Sequence, residues 1–266
     1  MKHGSLRHII LLLITVAILT SCEEIIDIDL RSVDPALSVE AVILEDDFCS
    51  VTLALTTDYF DSGIPVPVDD AEITLSSSIA ESETLSPQGN GVYSGSLIKG
   101  KPGVTYYIII EYKEKIITGS TYLPAETEIV SLVAEPFPYQ DPGEEPFFLL
   151  KLTFKDDPVE SNYYMLRIFR NDTLMKENIS LISDSFNNSG ELEYTEWRYW
   201  FRSGDRARVE LCSIENQLYR YFSEVNEMTG QGFSFSTPYN PRSDLSGNAL
   251  GYFGSWSSTS AILQVN

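Results

Sequence analysis

The stretch VTYYIIIEYKEKIITGSTY, residues 104–122, decides the fold class. Val104 to Tyr112 and Lys115 to Tyr122 read as strands, because apolar and polar residues follow a period near two and not the 3.6 of a helix. Lys99-Gly100-Lys101-Pro102-Gly103, just ahead, supplies residues that tolerate positive φ and end a strand. Upstream, the same pattern marks strands at Leu37 to Leu44, Ser50 to Thr56, Ala71 to Ser77 and Val92 to Leu97, with a turn at Pro87-Gln88-Gly89-Asn90-Gly91. Downstream it continues at Glu128 to Ala134, Phe147 to Phe154, Tyr163 to Arg170, Leu174 to Ile182, Glu191 to Phe201, Ala207 to Cys212 and Ser260 to Val265.

The fold class expected is mainly β, in two domains. Residues 35–124 should form a β-sandwich; Ala71-Glu72-Ile73-Thr74-Leu75, Gly91-Val92-Tyr93-Ser94-Gly95 and Pro102 to Tyr107 are similar to immunoglobulin-like and transthyretin-like modules. A boundary is expected at Pro124-Ala125-Glu126, followed by a second β-rich domain over residues 125–266. That domain carries one amphipathic helix at 213–228: Ile214, Leu218, Tyr221, Phe222, Val225 and Met228 recur at spacings of three and four, with Ser213 placed to cap it. A Gly-, Ser-, Pro- and Asn-rich loop at 229–248 follows.

Residues 1–21 read as a lipoprotein signal peptide, with Lys2 and Arg7 before the apolar run Ile9 to Leu19. Leu19-Thr20-Ser21-Cys22 resembles a bacterial lipobox, which implies lipidation of Cys22; the alternative is a secreted protein in which Cys22 is an ordinary thiol. Glu23 and Glu24 resemble the acidic export signal of surface lipoproteins, and residues 22–34 read as an acidic tether. The expected location is therefore the outer membrane, lipid-anchored, at the cell surface.

Charge and composition exclude much else. With 39 Asp and Glu against 18 Lys and Arg, the net charge is -21, so no nucleic-acid partner is expected. Both histidines, His3 and His8, lie in the signal, so the mature chain has none for Ser-His-Asp chemistry or His-ligated zinc. Phosphate-binding glycine motifs are missing too, so no cofactor, no metal site and no enzymatic activity are expected. A hydrolase using Asp or Glu pairs stays as the lesser alternative.

The remaining candidates each face a plainer reading. Trp197, Trp200, Tyr239, Tyr252 and Trp256 are the candidate ligand-binding residues, because aromatic faces stack on sugars and clamp peptides; core packing is the competing reading. Alternation through 197–201 would put Trp197, Tyr199 and Phe201 on one face and Trp200 on the other. Asp46-Asp47, Asp69-Asp70 and Asp156-Asp157 read as solvated turns and not as calcium loops. Cys49 and Cys212 read as unpaired, partly buried thiols, with a bridge between them as the alternative. Asp172-Thr173-Leu174 resembles a short O-glycosylation site.

Cys22-Glu23-Glu24-Ile25-Ile26-Asp27, Leu37-Ser38-Val39-Glu40-Ala41 and Asn240-Pro241-Arg242-Ser243-Asp244-Leu245 running into Gly251-Tyr252-Phe253-Gly254 together resemble the domain-of-unknown-function 4249 family of Bacteroidota lipoproteins. The resemblance implies an outer-membrane lipoprotein, often encoded beside a TonB-dependent transporter, and transfers no catalytic residue. The function expected is a non-catalytic ligand-capture or accessory subunit of such an uptake system. Its partners would be outer-membrane lipid through the acyl chains, the transporter, and a peptide or oligosaccharide. The alternative is a structural or adhesive surface module.

Overall fold

Alternation governs the strand Thr105–Tyr112, where Tyr106, Ile108, Ile110 and Tyr112 are buried and Tyr107, Ile109 and Glu111 are exposed. The computed structural model describes residues 35–57, 64–139, 143, 145–176, 179–184, 190–229 and 239–266. The expected signal peptide, Cys22, Glu23, Glu24, the tether 22–34 and loop residues 230–238 lie outside the described residues.

In chain order the described strands are β1 (Leu37–Leu44), β2 (Phe48–Leu55), β3 (Val66–Pro67), β4 (Glu72–Ser77), β5 (Ser82–Thr84), β6 (Ser86–Gly89), β7 (Val92–Lys99), β8 (Thr105–Tyr112) and β9 (Lys115–Tyr122). Then come β10 (Ile129–Pro136), β11 (Phe147–Lys155), β12 (Tyr163–Arg170), β13 (Thr173–Leu174), β14 (Ser180–Ser183), β15 (Glu191–Arg202), β16 (Arg206–Ile214), the helix α1 (Asn216–Thr229) and β17 (Leu250–Gln264). Among the described residues the molecule is mainly β, in three sheets. The largest follows the order β13-β12-β16-β17-β1-β2-β7-β6, with β14 added to β12 and β3 to β2. The others are β5-β4-β8-β9 and β10-β11-β15.

Among the described residues, three hydrophobic cores lie between the sheets and beneath the helix. Val39, Val51 and Tyr93 from one sheet meet Ile73, Ile108 and Ile117 from another in the first. The second gathers Phe154 and Phe201 with Tyr164, Leu166, Val209 and Leu211. The third, on the opposite face of β12 and β16, holds Met165, Cys212 and Leu218, the last from α1. Burial on both faces explains why β12 reads as a nearly continuous apolar run.

β17 connects the first core to the second. Leu250–Trp256 pairs in parallel with β1, and Ser257–Gln264 pairs antiparallel with β16. The approach to β1 requires Gly251: its φ is +98, and a Cβ there would stand 1.9 Å from the Val39 carbonyl oxygen. Further along, hydroxyls on alternate residues replace apolar side chains. Ser255 Oγ donates to Tyr122 O at 2.8 Å, Ser257 Oγ to Pro124 O at 2.8 Å, and Thr259 Oγ1 to Thr127 O at 2.6 Å. These bonds reach carbonyls at the end of β9 and in the connector that follows it, so the hydroxyls of Ser255 and Ser257 are satisfied where they are buried. The segment around Pro124 is therefore fastened to β17, and residues Pro35–Asn266 form one compact unit.

Several expected elements are placed differently. The strand expected over Leu174 to Ile182 is two short strands, β13 and β14, each paired to β12. The strand expected from Ser260 begins at Leu250, its Gly and Ser residues having hidden it. The helix begins at Asn216, because Ser213 still pairs with Tyr164 and Ser257 in the sheet. Glu215 takes the capping place instead, its carbonyl accepting Tyr219 N–H at 3.1 Å. Ser86–Gly89 is a strand, and the turn contracts to the positive-φ residues Gly89, Asn90 and Gly91. Cys49 and Cys212 are free and buried in separate cores, where burial pushes both thiols up to about 12.

Candidate functional site

The register of β15 against β11 changes partway along. Phe154 pairs with Leu192, Leu152 with Tyr194 and Leu150 with Glu196, but Phe148 pairs with Phe201. Residues 197–200 thus stand opposite Leu149 alone, a bulge that reverses the alternation. Tyr199 and Phe201 turn into the core, while Trp197 and Trp200 are 53% and 46% exposed. Trp197 therefore does not share a face with Tyr199 and Phe201, as plain alternation predicts.

Polar groups hold the bulge from beneath. Glu196, only 1% exposed, accepts hydrogen bonds from Ser180 Oγ, from Tyr194 OH at 3.3 Å and from Arg198 N–H at 2.7 Å. Burial, and then the Glu196 charge, push the Tyr194 phenol up to about 12. Trp200 Nε1–H donates to Trp197 O at 3.1 Å, and the Arg170 guanidinium donates to Trp200 O.

The two tryptophans join rings that the sequence did not single out. Phe137 lies 6.5 Å from Trp197, 5.4 Å from Trp200 and 5.9 Å from Tyr139, and Phe147 lies 5.6 Å from Trp200. Tyr139 is 80% exposed, so this platform is open to solvent. Beside it is a cleft of about 480 Å³ lined by Phe147, Arg170, Met175, Arg198, Trp200 and Arg202, among others. The Arg202 guanidinium sits 5.1 Å above the Phe147 ring. Arg170 Nε is buried without an acceptor, the Asp205 carboxylate being 4.0 Å away. In a chain of charge -21, a cleft with three guanidiniums against one carboxylate, Asp205, is a local excess of positive charge suited to anionic groups. Phe137 and Tyr139 lie between the expected strands Glu128 to Ala134 and Phe147 to Phe154, where the sequence pattern assigns no element.

The other candidate aromatics sit elsewhere. Tyr252 packs its ring 5.1 Å from Tyr221 and 5.2 Å from Phe222 and donates to Glu40 Oε1 at 3.0 Å. Burial, then the Glu40 charge, raise its pKa far above that of a free phenol. Tyr239 OH donates to Glu227 Oε2 at 3.0 Å, and Trp256 packs half-buried against the third core. Their hydroxyls and rings thus have structural partners.

A larger cleft, of about 870 Å³, lies between the Tyr122–Glu128 connector, the end of β11 and the start of α1. Glu126, Glu128, Asp156, Asp157, Glu160 and Glu215 line it, with Lys155 as its basic residue, 2.6 Å from Glu128. Burial raises the pKa of Glu215, although its oxygens accept from Thr121 Oγ1 at 2.8 Å and Tyr122 N–H at 3.3 Å. Asp156 departs from the solvated-turn expectation: it is 9% exposed and accepts Tyr164 OH at 2.8 Å. Asp47 and Asp69 do serve turns, accepting Phe48 N–H at 2.8 Å and Gly91 N–H at 2.6 Å.

No described helix is long and apolar enough to cross a membrane. No curated protein matches the chain. Among solved structures, a DUF4785 family protein from Legionella pneumophila subsp. pneumophila str. Philadelphia 1 is similar at 12% identity and a TM-score of 0.23, over 66% of this chain and 51% of that one. The chain spans about half the length of that protein. A family model described as domain of unknown function (DUF4249) matches residues 23–262, and the chain belongs to that family.

Proposed function

We propose that this chain is a surface-exposed outer-membrane lipoprotein, anchored through Cys22, that captures a ligand without chemically altering it. It would serve as a ligand-capture or accessory subunit of a TonB-dependent uptake system. The observation that carries the capture role is the outward pair Trp197 and Trp200, set by the β15 bulge and enlarged by Phe137, Tyr139 and Phe147. Exposed rings held by a rigid underside lose little entropy on binding, and they stack on sugar faces or peptide side chains. The guanidiniums beside them favour an oligosaccharide or peptide that carries carboxylates. The lipobox and the acidic residues after it support the location, and the two sheets around the first core support an immunoglobulin- or transthyretin-like sandwich at residues 35–124.

The hydrolase alternative would use the acidic cleft, where burial raises both Asp156 and Glu215. Glu215 is tied at both oxygens by Thr121 and Tyr122, which leaves it poorly placed to pass a proton to a substrate. The capture role is tested by titrating the protein with acidic and neutral oligosaccharides and peptides. The wild type should bind an acidic member, and the Trp197→Ala, Trp200→Ala double variant should lose at least about tenfold in affinity. Equal affinity in the double variant would sink the role of this face. A pull-down from outer membranes in mild detergent should bring a transporter barrel; recovery of the lipoprotein alone would remove the accessory-subunit part.

A further inference from the structure

A second site lies at the far end of β12, independent of the aromatic face. Tyr163 pairs with Ser183 and Tyr164 with Ile182, and Asp184 N–H continues the ladder to Asn162 O at 3.3 Å. Side chains two apart on a strand share a face, so Asp184 lies on the same side as Ile182 and its cross-strand partner Tyr164. From that face the Tyr164 hydroxyl reaches Asp156 Oδ1 at 2.8 Å. The end of β11 and the end of β14 thus place Asp156 and Asp184 on the Tyr164 side of β12.

What sets this pair apart is the lack of hydrogen-bond donors. Asp184 is 1% exposed, and neither of its oxygens has a partner; Asp156 is 9% exposed, and its Oδ2 has none. Other buried carboxylates are satisfied: Glu83 takes three backbone N–H groups, from Ser96, Leu97 and Ile98, and Glu224 takes two N–H groups of Arg242. An ionised carboxylate without partners is strongly disfavoured in a protein interior, and a second like charge nearby adds to the cost. A shared proton would remove one charge and bridge at most one pair of oxygens. A divalent cation removes both charges and takes all three oxygens.

We infer that Asp156 and Asp184 are the protein carboxylates of a cation site for a hard divalent ion, Ca²⁺ by its chemistry. The donors are all oxygen, which suits Ca²⁺ and Mg²⁺ over metals that prefer nitrogen or sulfur. Two neighbouring strand ends are better matched to the irregular six to eight ligands of Ca²⁺ than to the strict octahedron of Mg²⁺. Among the described residues no three metal-ligating side chains come together, so water fills much of the shell and the affinity is modest. Dissociation constants of about 10⁻⁴ to 10⁻³ M, as in extracellular calcium modules, are expected.

The test uses the full-length chain in detergent, with Ca²⁺ and Tb³⁺ as probes. Raising Ca²⁺ from chelator to about 10 mM should lift the melting temperature by roughly 3 to 6 °C. Tb³⁺ emission excited through tyrosine should appear and be displaced by Ca²⁺. Both signals should vanish in Asp184→Asn and in Asp156→Asn, which keep size and shape; either variant suffices if the other fails to fold. Equilibrium dialysis of the wild type provides a readout that needs no variant and should find about one Ca²⁺ per chain at saturation. Absence of bound Ca²⁺, or a Ca²⁺ response that survives in the variants, overturns the site. So does a wild type that ignores Ca²⁺ and instead gains stability in chelator as the pH falls, which would assign the pair to a shared proton.

Discussion

The aromatic face and the Asp156–Asp184 pocket are opposites in construction. At the first, large apolar rings stand in water while the polar groups that fix the bulge, Glu196 and the Trp200 carbonyl, have partners. At the second, carboxylate oxygens are inside and lack partners. Either arrangement is unfavourable for a protein that only has to fold. The difference is where a partner would arrive: flat against solvent-facing rings in one case, against buried carboxylate oxygens in the other.

The largest effect that sharpens this contrast should come from Glu196→Ala. It strands the Ser180 and Tyr194 hydroxyls and the Arg198 amide, and should lower the unfolding free energy in urea by about 3 kcal/mol. The Ca²⁺ response should persist in that variant, since the pocket lies elsewhere; its loss would mean that the two regions are not separate. Asp184→Asn should act in the opposite direction. In chelator near neutral pH it should raise stability by about 1 kcal/mol, because an amide is easier to bury unpaired than a carboxylate. A fall of that size would show that the charge is already compensated.

A pH titration follows from Asp156. Burial raises its carboxyl above the ordinary 3.8, so the folded chain holds the proton more tightly than the unfolded chain. Its stabilising contribution is therefore full below 3.8 and is lost as the pH rises through the folded value. In chelator, wild type minus Asp156→Asn should thus become less favourable with rising pH; a flat difference would contradict the burial. The smallest effect belongs to the rim of the other region. Arg202→Ala, at an exposed guanidinium over Phe147, should cost less than about 0.5 kcal/mol of stability. A loss above about 1 kcal/mol would make Arg202 structural and not a contact for ligands.

What the sequence disclosed follows the same division. Strands with regular alternation, such as β1, β8 and β9, were legible because one face is buried and the other wet. β17 was mostly hidden, since its inward residues are Ser255, Ser257 and Thr259 and its partners are carbonyls of a distant connector. Trp197 and Trp200 could be named as candidates, but a bulge depends on the neighbouring strand, so the face they share could not be read from β15 alone. Asp184 carried no signal at all. A single Asp after Ser183 looks like any strand end until the pairing with β12 places it, like Asp156, on the Tyr164 side.

β17 also dictates the order in which this chain can assemble. Glu40 and Tyr252 touch across a separation of 212 residues, so the strand synthesised first among those described has to wait for the last before its outer edge is covered. Such distant closure makes for slow, late folding, with an unprotected edge in the interval. A nascent chain stopped short of residue 250 would leave both ends of the molecule incomplete at once, which makes it a clear substrate for proteolytic quality control.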